Sequence, residues 1–514
     1  MNTRLAMILL ITTFCILLSA VIPTALNAEL KLASPFTDHM VLQRDMPIPV
    51  WGSASPGLTI TVEFSGQTQS VNTDSSGKWR VDLEPLSASS TGKRMTVIAG
   101  KNQESIELSN IVVGEVWICS GQSNMQWKLD SVGNIKALKS TPGRIRSFQV
   151  PTTVALEEQD HCDSEWLVER PDSAVATAFA HYLEEYADVP IGILLTAWGS
   201  SSIEAWMPRD MTKTVPHFKT VMEEFDANQG NIQHIKNALN ADGPPWDKKQ
   251  NFFLRHQPNV LYNAMMKPLV PYACRGLVWY QGERNTGAIG GMPEGKWTAR
   301  VAGMQLYGEI LPKWIQHYRQ MWGQPDMHFL IVMLPGFGKI LDAGPEQTLE
   351  SPDAQSWAWM RESQLKALEL PNTGVVNTID LGHPTNIHPK DKLPVGQRLA
   401  LLAARDTFGH DRVAQGPVME SVIARGNYLV VDFKYAEGLK TTDGKAPTGF
   451  WISDDSGNWQ EAEAIIKGTQ IALSASNILN PRHIRYAFAG MPKVNLINTD
   501  NLPAYPFRTD QIEP

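Results

Sequence analysis

Between residues 111 and 410, strand-like apolar runs alternate with helical patterns, and this alternation constrains the fold more than any other feature of the chain. The runs are VVGEVWICS, VPIGILLTAW, CRGLVWYQ, HFLIVMLPG and GVVNTIDLG. One helical candidate is LYGEILPKWIQHYRQMWG, where Ile310, Trp314, Ile315 and Tyr318 recur at helical spacing and Pro312 marks a start or a kink. Another is VGQRLALLAARDTFG, from Val395. Strands that alternate with helices predict a mostly parallel sheet covered by helices. Ligands of such sheets sit at the carboxyl ends of the strands.

The flanks have a different texture. Residues 29–110 carry short β-like runs (TITVEF, KWRVDL, RMTVIAG) separated by turn clusters, which predicts a small N-terminal β domain. Residues 411–514 return to that texture and predict a second small β domain at the C-terminus, with a tail that could pack back on the first. Residues 209–260 are polar and partly helical and read as an insertion over one face of the central domain. At the start, Arg4 precedes an apolar run from Leu5 to Ile22 and small residues up to Ala28. That order reads as a secretory signal peptide over residues 1–28, with an uncleaved anchor as the alternative. A secreted or periplasmic protein is the expectation, with no other membrane segment.

Composition narrows the function classes. The net charge is −8 and no basic run occurs, which argues against a nucleic-acid partner. Sixteen Trp residues give many flat apolar faces, useful in sugar binding and equally in a core. Cys119, Cys162 and Cys274 are widely spaced, so no CxxC metal framework exists and at most one disulfide can form. No metal or other cofactor is expected.

The strand ends carry the chemistry. VVGEVWI stops at Cys119, and Ser120, Gly121, Gln122, Ser123 and Asn124 follow. Ser123 stands where a strand passes through a turn into a helix. A serine hydroxyl becomes a nucleophile only with a base in reach and donors for the oxyanion. The motif is not the G-x-S-x-G elbow, because Met125 replaces its last glycine. The next strand ends in Gly199 and Ser200, and the third in Gln281, Gly282, Glu283, Arg284 and Asn285. Together they offer a hydroxyl, a backbone N–H and a side-chain amide. His388 lies on a proline-stiffened loop between a strand and a helix, which suits a general base, and His383 competes for that role on the same loop.

The motifs GQSNMQW, WYQGERN and NIHPKDKLPVGQRLA, in this order, resemble the sialate O-acetylesterases of the SGNH hydrolase superfamily. HMVLQRDMPIPVWGSASPG, AWGSSSIEAWM and IRYAFAGMPKVNLINTDNLPAYPFRTD extend the resemblance over nearly the whole mature chain. It implies an SGNH-type three-layer α/β/α hydrolase domain with flanking small β-sandwich domains. It implies Ser123 as nucleophile and His388 as base. Gly199 and Asn285, with the Ser123 N–H, would form the oxyanion hole. Gln122, Gln281 and Glu283 would line the site and bind substrate.

One position departs from the pattern. The superfamily carries an aspartate three residues before its histidine, and Thr385 stands there in this chain. A Ser123–His388 dyad and a triad completed by Asp380 both stay open. The expected reaction is removal of O-acetyl groups from sialic acid through an acetyl-serine. Acetylxylan is the alternative substrate. A catalytically silent carbohydrate-binding protein is the alternative from another class. The oligomeric state is not legible.

Overall fold

The structure is a computed structural model that describes residues 29–100, 104–241, 244–287, 297–338 and 357–511. The signal-peptide reading over residues 1–28 lies outside them.

The centre is a parallel sheet of β1 (Glu104–Gly121), β2 (Ile145–Gln149), β3 (Ile191–Ala197), β4 (Gly276–Tyr280), β5 (His328–Val332) and β6 (Thr373–Val376). Its spatial order is β2-β3-β1-β4-β5-β6, and a short antiparallel strand, Trp166–Leu167, extends the β2 edge. β3 and β4 are buried at every residue. Strands covered on both faces can be apolar throughout, which is why they read as runs and not as alternations. The two faces are covered by different helices. Phe329 packs edge-on against Trp314 of the Trp297–Trp322 helix, while Leu330 shares the other face with Leu402 of the Leu393–Phe408 helix. The molecule therefore has the expected α/β/α layering. Pro312 does not start the first of these helices but lies inside it.

β1 is the switch point of the sheet. From β1 the chain crosses to β2 at one side and returns inward to β3, then passes to β4 on the other side of β1 and builds outward through β5 and β6. The β1-to-β2 and β3-to-β4 connections run to opposite sides of β1, the arrangement in which a ligand crevice is expected at the carboxyl end of the central strand.

The flanking β regions are not beads on a string. β1 pairs with Ser89–Ala99 and Val41–Gln43 along its first part, then enters the parallel sheet. The expected boundary near residue 110 thus falls inside one strand. Glu115 on β1 is fully buried and bonded by Arg44 at 2.5 Å and by Arg275 at 3.0 Å. Those bonds pin the N-terminal region to the central sheet. Among the described residues the C-terminal region holds three small antiparallel sheets, and its tail returns to the centre. Tyr505 donates to the Val375 carbonyl at 2.6 Å, and Arg508 meets Glu362 at 2.7 Å. Cys119, Cys162 and Cys274 are buried free thiols. Among the described residues no helix is long and apolar enough to cross a membrane.

Candidate active site

Register brings the three strand ends together. Gly121 on β1 pairs with Ala197 on β3 and with Tyr280 on β4. Ser123, Gly199 and Gly282 each follow two residues after that level, so they emerge side by side. Gly121 sits at φ +137°, and a Cβ there would lie 2.2 Å from the Tyr280 carbonyl oxygen. Only glycine lets β1 leave the sheet so close to β4. Ser123 opens a single helical turn, Ser123–Gln126, rather than a long helix. Ser173 caps the Ala174–Ala187 helix and donates to the Met125 carbonyl at 2.6 Å, which fixes that turn from below.

The base arrives from the far side of the sheet. His388 Nε2 lies 2.8 Å from Ser123 Oγ. The loop that carries it is held locally. Asn386 Oδ1 accepts from the His388 N–H at 2.9 Å. His383 Nδ1 accepts from the N–H groups of Thr385 and Asn386 at 3.2 and 3.0 Å. His383 is therefore a loop brace and not the base. Trp127 stacks on the His388 ring, with centroids 5.0 Å apart at 26°. Burial, then the positive charge of Lys392, pushes the His388 pKa down, so the ring is held neutral and ready to accept a proton.

The structure does not bring Asp380 to His388. Arg398 takes both Asp380 carboxylate oxygens at 2.7 Å in a bidentate pair. That corrects the triad option: among the described residues His388 is oriented by Trp127 and by its own loop, and no carboxylate contacts it.

Gln122, Gln281 and Glu283 are also not where a substrate would touch them. All three are buried. Gln281 donates to Gln122 Oε1, the Ser201 carbonyl and Asn285 Oδ1, and it accepts from Tyr307. Buried polar groups need such partners, and these tie β1, β3 and β4 together beneath the crevice. Asn285 is part of the same layer. Its Oδ1 accepts from the Ile203 N–H at 3.1 Å, and its Nδ2 donates to Glu204 at 3.1 Å. Gly199 lies against the nucleophile, and a Cβ on it would sit 3.1 Å from Ser123 Cβ. Its N–H is taken up elsewhere. In this state it donates to Gln126 Oε1 at 2.8 Å.

Sequence reasoning missed a second buried layer. Asn124, next to the nucleophile, donates to Glu283 and to the carbonyl of Ile387, next to the base, and accepts from Lys392. It clamps the two catalytic loops to each other. Burial pushes the Glu283 carboxyl up to about 7 and the Lys392 ammonium down to about 8. The SNM and HPKDK motifs held these residues in view, but nothing in the sequence marks a lysine as buried.

A half-buried serine hydroxyl bonded to a neutral imidazole at a switch-point crevice is the arrangement of a serine hydrolase. The comparisons sharpen that class. The family model described as "Carbohydrate esterase, sialic acid-specific acetylesterase" matches residues 113–244 and 245–404. The mouse sialate O-acetylesterase is 26% identical over 93% of this chain and 94% of its own length. The human sialate O-acetylesterase is 24% identical over 88% of this chain and 87% of its own. Among solved structures, a carbohydrate acetylesterase from Xanthomonas citri superposes with a TM-score of 0.77 at 31% identity, covering 94% of this chain and all of that one. The chain belongs to the sialic acid-specific acetylesterase family of carbohydrate esterases and is a carboxylic ester hydrolase.

Proposed function

We propose that the protein removes O-acetyl groups from sialic acid through an acetyl-serine intermediate. The observation that carries this reading is the 2.8 Å contact between Ser123 Oγ and His388 Nε2 at the switch point, in a chain of this family. His388 takes the Ser123 proton as the hydroxyl attacks the acetyl carbonyl. The oxyanion forms beside the Gly199 N–H, once Gln126 turns away, with the Ser123 N–H as a further donor, and Asn285 supports them from the layer beneath, where its Nδ2 is bonded to Glu204. His388 returns the proton to the departing sugar alcohol. Water then attacks the acetyl-serine with His388 as base. The N-terminal apolar stretch is read as an export signal, and the first residue of the protein recovered outside the cytoplasm tests it.

The test is acetate release from O-acetylated sialic acid and from acetylxylan, with wild type and Ser123→Ala. Serine-dependent release from the sialic acid is expected. Release from xylan alone would keep the mechanism and replace the substrate. Undiminished release by folded Ser123→Ala would remove the nucleophile assignment.

A further inference from the structure

A cavity of about 600 Å³ opens beside the turn that carries Ser123. Small-molecule sites span about 300–1,000 Å³, so its size suits a ligand. Leu195 and Ala197 line it from the carboxyl end of β3, and Gln126 lines it from the last position of the Ser123–Gln126 turn. The insertion contributes Trp246 and Asn251, the latter from the Lys248–Arg255 helix.

Gln126 joins this cavity to the reacting serine. Its Oε1 accepts from the Gly199 N–H at 2.8 Å. A Cβ on Gly199 would sit 3.3 Å from that oxygen and 3.1 Å from Ser123 Cβ. The side chain that occupies the oxyanion donor is therefore also part of the cavity's lining.

The lining suits an uncharged, hydroxyl-rich ring. Its charged side chains are Lys128 and Asp172, which meet each other at 3.6 Å and so offer no net charge to an ionic ligand. The side chains of Thr152 and Asn251 hold no hydrogen-bond partner among the described residues and are open to a ligand. A hydroxyl and an amide can each donate and accept, as sugar hydroxyls require. Trp246 adds a half-buried ring with an apolar face. Its Nε1 donates to the Ala238 carbonyl at 3.2 Å, and its ring stacks with Trp198, centroids 6.1 Å apart at 12°.

We propose that this cavity is a subsite for an uncharged sugar unit joined to the acetylated one, and that a hydroxyl of this unit donates to Gln126 Oε1 and so releases the Gly199 N–H for the oxyanion. The neighbouring unit thus acts on the reaction as well as on affinity, and an acetylated sugar that stands alone leaves Gln126 in place. The insertion, through Trp246 and Asn251, links glycan recognition to chemistry built on the sheet. The inference rests on the Ser123 esterase reading and names what that reading leaves open, the substrate beyond its acetylated unit.

The test compares acetate release from an O-acetylated sialic acid linked to an uncharged hexose with release from its methyl glycoside, as a ratio of kcat/KM values. That quantity covers the acylation step, in which the sugar is still bound. Wild type is expected to favour the hexose-linked substrate about tenfold, the scale of one or two neutral hydrogen bonds. Gln126→Ala frees the Gly199 N–H, so kcat/KM on the methyl glycoside should rise and the ratio should fall about fivefold. Thr152→Ala and Asn251→Ala should each lower the ratio about threefold or more. Both substrates meet the same protein sample, so partial unfolding cancels from the ratio. A wild-type ratio near one, or a ratio kept by both Thr152→Ala and Asn251→Ala, would overturn the subsite. A ratio kept by Gln126→Ala would overturn the release of Gly199. If acetylxylan proves to be the substrate, acetylated xylobiose and acetylated methyl xyloside take the two places, with the same outcomes. Loss of the Ser123 assignment would show itself separately, as activity that survives Ser123→Ala.

Discussion

At the scale of single residues, the departure at Thr385 was visible before the fold was known, but its consequence was not. Sequence distance made Asp380 a candidate third member, yet Arg398 lies one helix further on and closes over both its oxygens. A long-range partner of that kind leaves no local signal. Asp380→Asn should therefore keep kcat/KM within about threefold, whereas loss of a true triad aspartate costs about 10⁴-fold. Steady-state kinetics on one acetyl ester separates the two outcomes. The state of His388 gives a second expectation. The imidazole must be neutral to take the proton, and burial with Lys392 disfavours its charged form. Activity should fall as pH drops through a value below the ordinary 6.5 of a histidine. The plateau should lie on the alkaline side of that limb. The pH profile of kcat/KM reads that limb directly, because it reports the free enzyme, and a limb above 6.5 in wild type would contradict the assignment.

At the scale of elements, most of the site was legible because strand ends announce themselves. Apolar runs that stop at Gly121, at Gly199 and at Gly282 mark where backbones leave the sheet. What the runs cannot show is register. The pairing of Gly121 with Ala197 and Tyr280 turns three separate ends into one crevice. It also places Gln122 and Gln281 in the layer beneath, bonded to each other, and not on the substrate's side. Side-chain direction flips between neighbours in a strand, so a motif names the residues of a site without sorting floor from wall. Gly121→Ala tests the register. The new Cβ would meet a backbone oxygen, and φ +137° is strained for any other residue. The strain alone is worth about 1–3 kcal/mol, and the clash adds to it. Urea unfolding should show that loss together with loss of esterase activity, while a variant of wild-type stability would show that β1 leaves the sheet differently.

At the scale of the molecule, the regions read from texture are joined more tightly than texture can show. β1 serves both the N-terminal β region and the central sheet, and no composition shift marks a boundary inside a strand. Glu115 is the fixed point of that junction, buried between Arg44 and Arg275. Its removal leaves two guanidinium groups without their acid. Glu115→Ala should destabilise the protein by about 3–5 kcal/mol, as expected for breaking a buried ion pair from one side. A shared strand also predicts that thermal unfolding of the N-terminal and central regions occurs in one transition. Calorimetry that resolves an independent N-terminal transition would contradict this joining.

The most direct measurement of the proposed chemistry is covalent. A serine-directed phosphonate, followed by mass spectrometry of the digested protein, reads which hydroxyl is activated. A single adduct on the peptide that contains Ser123, lost on substitution of His388, is predicted. An adduct on another residue, or none in protein that still releases acetate, would contradict the assignment of Ser123 and His388 as the catalytic pair.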